Sequence, residues 1–68
     1  MTVDEYMAII FHADRRPRSE EFRAGVRAAL EHRINGAPIE QPNIAGSAQA
    51  DAFDAGVSEG DVVWRSVR

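Results

Sequence analysis

The side chains able to do chemistry near neutral pH are few. His12-Ala13-Asp14 is the one stretch whose types suit metal binding or acid–base work, and His32 is the only other imidazole. A metal site needs three or four converging ligands. With two histidines and no cysteine, the chain offers no His/Cys set to complete one. The absent thiol also removes disulfides and Cys nucleophiles. His32, between Glu31 and Arg33 near the end of a helical pattern, reads as a partner for the helix dipole. Ser19 and Ser47 precede helical patterns and read as caps. Ser58 and Ser66 stand in no nucleophile-elbow context. Both Gly-containing motifs fall inside helical patterns and not between strand and helix, so no phosphate loop is expected. The expectation is a non-enzymatic protein with no catalytic residue, no metal and no cofactor.

Charge is the other resource. Eleven acids oppose eight bases, all of them Arg, for a net charge of −3. Between His12 and Arg33 lie six Arg (15, 16, 18, 23, 27 and 33) against four acids. Between Glu40 and Asp61 lie five acids and no base. Arg makes planar, bidentate, weakly hydrated contacts suited to protein interfaces. Arg15, Arg16, Arg18, Arg23 and Arg27 are therefore the first candidates for partner binding. Asp51, Asp54, Glu59 and Asp61 form the alternative, an acidic face that could mimic phosphates. A two-signed molecule of this kind is not the basic stripe that neutralises a nucleic-acid backbone.

These side chains have to be held by a single domain spanning residues 1–68. The longest apolar run, Met7 to Phe11, is far short of the roughly 20 residues of a membrane span. Asp4 and Glu5 argue against a signal peptide, and a cytoplasmic protein is expected. Thr2-Val3-Asp4-Glu5 reads as a capping box opening a helix over about 3–14, with apolar residues at Val3, Tyr6, Met7 and Ile10. A strand over Met7–Phe11 is the competing reading. Ser19-Glu20-Glu21 opens a second helix over about 20–34, with Phe22, Val26, Ala29, Leu30 and Ile34 on one face and Asn35-Gly36 as its exit. On its outer face Arg27 and Glu31 are spaced to pair. Gly36, Pro38, Pro42 and Gly46 impose an extended crossing over 35–46, which Ile39 and Ile44 could pin to the core. Ser47 caps a third helix over about 48–66, with a possible kink at Gly60. The fold class is all-α. A core this small seldom supplies more than about 3–5 kcal/mol, so a homodimer burying parts of the first and last helices is expected.

One internal repeat stands out. Phe22-Arg23-Ala24-Gly25-Val26 and Phe53-Asp54-Ala55-Gly56-Val57 match at four of five positions, 31 residues apart. Ala29 and Gly60 continue the small-residue pattern four residues beyond each Gly. A helical Gly costs about 1 kcal/mol relative to Ala, so two at equivalent places point to close backbone approach. Phe22, Gly25, Phe53 and Gly56 are accordingly assigned to a helix crossing.

This arrangement resembles the ribosome modulation factor family and small phage proteins of similar layout. The matching parts are Phe22 to Val26, the crossing from Pro38 to Pro42, and Ala52-Phe53-Asp54-Ala55-Gly56, within residues 19–64. The resemblance implies a helical scaffold and, in that family, a seat on ribosomal RNA. That family is strongly basic and this chain is net acidic, which turns the reading away from nucleic acid. In size and helical layout the chain is also similar to phage-encoded host modulators such as the quorum-sensing anti-activators. Those dimerise and bind a host transcription factor. The functional expectation is a modulator that inhibits a host protein by occlusion. The alternative is a ribosome- or RNA-associated factor.

Overall fold

Each helix begins where a side chain can accept or donate at its frayed first turn. A computed structural model describes residues 1–13 and 18–67. Three α-helices account for most of them: α1 (Val3–Ala13), α2 (Glu20–Asn35) and α3 (Ala48–Val67). At α1 the Thr2 amide donates to Glu5 Oε1 at 2.9 Å, and the Glu5 amide donates back to Thr2 Oγ1 at 3.2 Å. This reciprocal box satisfies two otherwise orphaned donors. At α2, Ser19 is extended and its Oγ accepts from the Phe22 amide at 3.1 Å. Ser47 Oγ accepts likewise from Ala50 at 3.1 Å, while its hydroxyl donates to the Ile44 carbonyl at 2.6 Å. The exit of α2 needs a left-handed residue, and Gly36 supplies it at φ 76°.

α3 runs without interruption through Gly60. The Asp61 carboxylate accepts from Arg33 Nε at 3.0 Å. The strand alternative at Met7–Phe11 is excluded, since those residues lie inside α1.

The repeat governs how α2 and α3 meet. A methyl built on Gly25 would overlap the Phe53 carbonyl oxygen and lie 2.9 Å from its carbon and 3.0 Å from the Val57 nitrogen. A methyl on Gly56 would overlap the Phe22 carbonyl oxygen and lie 3.0 Å from both that carbon and the Val26 nitrogen. The two environments are equivalent, each Gly facing the Phe-to-Val stretch of the other repeat. Gly60 extends the contact, since its added methyl would sit 2.9 Å from both Ala29 Cβ and the Val26 carbonyl. Further along, Arg33 meets Asp61 and Trp64. Partner numbers rise together on both helices, so α2 and α3 run in the same direction with backbones in direct contact. The extended segment between them carries the chain back, as same-direction neighbours require.

α1 lies over this pair. Val3 and Tyr6 are buried against Val26 and Leu30, which are both 0% exposed. Met7, Ile10, Phe11, Phe22, Ile34, Val63 and Trp64 pack around them. Ala29, Ala50 and Phe53 complete the buried apolar set.

The return segment departs from expectation. Ile39 is 38% exposed and Ile44 84% exposed, so neither pins it. Polar contacts do so instead. Gln41 Nε2 donates to the Ala50 carbonyl at 3.3 Å and to Asp54 Oδ1 at 3.0 Å. Gln41 Oε1 accepts from both the Asn43 amide and its Nδ2, at 3.1 and 2.9 Å. With two prolines the segment has fewer amides to satisfy, and a single amide side chain holds its middle to the start of α3.

Candidate functional site

The most distinctive surface chemistry lies where α1 crosses the first half of α2. Phe11 and Phe22 meet edge to face, with ring centroids 6.4 Å apart and planes at 87°. Each carries a guanidinium on its face: Arg18 lies 4.7 Å from the Phe22 centroid and Arg23 4.8 Å from that of Phe11. Such stacking is electrostatically favourable and orients the planar fork. Arg18 and Arg23 are exposed overall.

Beside this stack, Met7, Phe11 and Ala24 floor an open groove of about 460 Å³, with Arg23 and Arg27 along its wall. Arg27 engages Asp4 at 3.1 Å across the α1–α2 boundary. The Arg27–Glu31 pair anticipated on α2 is replaced by this contact, and Glu31 instead accepts from Asn35 Nδ2 at 3.0 Å. The cause is the position of α1, which brings an acid within reach of Arg27.

Of the five arginines singled out from sequence, the structure gathers Arg18, Arg23 and Arg27 at this surface. Arg15 and Arg16 lie outside the described residues, as does Asp14. Sequence reasoning did not foresee the aromatic supports, although Phe11 and Phe22 are large and flank the Arg-rich stretch.

The alternative acidic face is less open than its charge suggests. Asp54 accepts from Gln41, and Asp61 is held by Arg33. Only Asp51 and Glu59 of the four are exposed with no contact drawn to another element. The Arg33 guanidinium also covers the Trp64 ring, 5.1 Å from its centroid. The hydrogen bond that Arg33 donates to Asp61, reinforced by the carboxylate's charge, raises the Arg33 pKa above its ordinary value. Arg33, Asp61 and Trp64 thus tie the C-terminal halves of α2 and α3 together.

The histidines do not converge. His12 is exposed in the last turn of α1. His32 Nδ1 lies 2.9 Å from the Ala37 carbonyl. A carbonyl only accepts, so that nitrogen carries the hydrogen. The ring therefore fastens the α2 exit. Among the described residues no group of three His, Cys, Asp or Glu side chains could hold a metal ion. None of their helices is long and apolar enough to cross a membrane.

Comparison with protein-family models, with curated proteins and with solved structures yields no match to this chain.

Proposed function

We propose that this protein is a non-enzymatic modulator that binds a host protein and inhibits it by occlusion, using the Arg–aromatic surface of α1 and α2. The observation that carries this reading is the pair of guanidinium groups, Arg18 and Arg23, stacked on Phe22 and Phe11 beside an apolar groove. Interface energy concentrates in arginines and aromatics that are already ordered before docking. The chain carries a net −3 charge with no extended basic stripe, which disfavours the many phosphate contacts of a nucleic-acid backbone. A cytoplasmic transcription regulator is the partner class that the resemblance in size and layout favours. Self-association into a homodimer belongs to the same proposal. Ile9 on α1 and Val62 and Val67 on α3 remain about half exposed and would supply its apolar contacts.

Affinity capture from a lysate of the host, run with the parent chain and with Arg18→Ala/Arg23→Ala, tests this. The reading expects a protein that survives nuclease treatment and is lost with the variant. Recovery of nuclease-sensitive ribosomal material would support the RNA-associated alternative instead.

A further inference from the structure

We infer that the groove between α1 and α2 receives an acidic amphipathic helix from the partner protein. This deepens the proposed function and rests on its protein-directed reading. The argument begins with the floor. Met7 and Phe11 on α1 and Ala24 on α2 leave an apolar trough of about 460 Å³ open to solvent. Burying long aliphatic or aromatic side chains there is favourable in proportion to the area removed from water.

The wall sets the sign of the occupant. Arg23 and Arg27 are four residues apart on α2 and both line the trough. Successive turns place them about 6 Å apart along the axis. That spacing matches carboxylates three or four residues apart on an incoming helix, and each guanidinium can take one bidentately. Both groups are already oriented, Arg23 by the Phe11 ring and Arg27 by Asp4. Arg27 is half exposed in that pair, so exchange of Asp4 for a partner carboxylate needs no rearrangement of the backbone.

The occupant is a helix because the described residues offer no strand edge for an extended peptide to extend. It is a partner's helix and not a second copy's. The large apolar side chains that the helices of this chain leave exposed are Ile9 on α1 and Val62 and Val67 on α3, one alone and two five residues apart, so no helix presents a second copy with an apolar stripe at i, i+3, i+4 and i+7.

The test uses the intact chain and a fluorescein-labelled synthetic helix of about 18 residues, with leucines at i, i+3, i+4 and i+7 flanked by glutamates. Fluorescence anisotropy should show saturable binding. A shuffled peptide and one with lysine for every glutamate should bind at least about tenfold more weakly. Arg23→Glu and Arg27→Glu should each weaken the parent peptide by about tenfold or more with helix content unchanged by circular dichroism. Ala24→Trp, at an exposed helical site, should block the trough without touching charge. Equal binding of the shuffled peptide, or indifference to Arg23→Glu and Ala24→Trp, overturns the proposal. So does light scattering in which Arg23→Glu/Arg27→Glu alone halves the molecular mass, since a second copy then fills the groove. If peptide binding fails while lysate capture still depends on Arg18 and Arg23, the groove assignment falls and the protein-directed reading stands. Failure of both removes both.

Discussion

Adding one methyl group at Gly25 or Gly56 should destabilise the protein more than its size suggests. In both places the methyl would overlap a backbone carbonyl oxygen of the facing helix, with its carbon 2.9–3.0 Å away. A backbone atom cannot swing aside like the end of a side chain, so α2 and α3 must separate by about an ångström, and a gap of that size forfeits a quarter to a half of the dispersion well. Val26, Ala29, Leu30 and Phe53 are packed to between 0 and 3% exposure along this crossing. Losing that fraction of their packing costs about 3 kcal/mol, taking each large buried side chain at about 1.5–3 kcal/mol. The better helix propensity of Ala returns about 1 kcal/mol, leaving a net loss of about 2 kcal/mol. For a domain of this size that lowers Tm by about 8–16 °C. Thermal melts followed at 222 nm read this directly. Ala24→Gly, at an exposed site on the same helix, calibrates the propensity part, with an expected loss of about 1 kcal/mol. The double variant Gly25→Ala/Gly56→Ala should lose less than the sum, because helices already parted by one methyl accommodate the other. Unchanged or raised Tm in both single variants would refute the close-crossing argument. So would a large loss in one and none in the other, since the two sites are equivalent.

Four further outcomes follow. Leu30→Ala removes the largest fully buried side chain and should cost about 2–5 kcal/mol, read by urea denaturation. Gln41→Ala releases two donated hydrogen bonds, so limited proteolysis should cut within residues 37–46 faster while helix content by circular dichroism is kept. Arg33→Ala should change the emission of Trp64, the sole tryptophan, because the guanidinium stands over its ring; identical spectra would place Arg33 elsewhere in solution. The Thr2 amide, followed by the Thr2 hydroxyl, holds Glu5 below its ordinary value of 4.5. The unfolded chain then binds the proton more readily, so this contribution is present above pH 4.5 and lost as pH falls through the lower folded value. The stability difference between the parent and Glu5→Gln should shrink over that acid range.

Much of the fold was legible because its signals are local. Thr2 with Glu5, Ser19 and Ser47 announce helix starts through bonds made within three residues. Gly36 announces an exit through a backbone angle that side chains disfavour. The crossing was legible for a different reason, that two helical glycines in matching contexts are costly unless something needs their missing side chains. What was not legible depends on the directions in which elements return. Ile39 and Ile44 are as apolar as core residues, and only the path of the segment leaves them outside. Nothing in a sequence says that Gln41 will reach Asp54, or that α1 will bring Asp4 to Arg27 before Glu31 can pair with it. The candidate surface shares this limit. Its arginines were visible as a cluster, but the rings beneath them come from α1 and α2 together and required the tertiary arrangement.

The functional account turns on which face meets a partner and whether that partner is protein. Site-specific photo-crosslinking answers both at once. A photoreactive residue is placed either at Ala24, on the groove floor, or at Ser58, on the outward side of α3. Each chain is irradiated in a lysate of the host, and the adducts are identified by mass spectrometry. The account expects a host-protein adduct from position 24 that persists after nuclease treatment, and from position 58 no adduct other than one to a second copy of this chain. Host-protein adducts from position 58 alone, or RNA adducts from position 24, would contradict it.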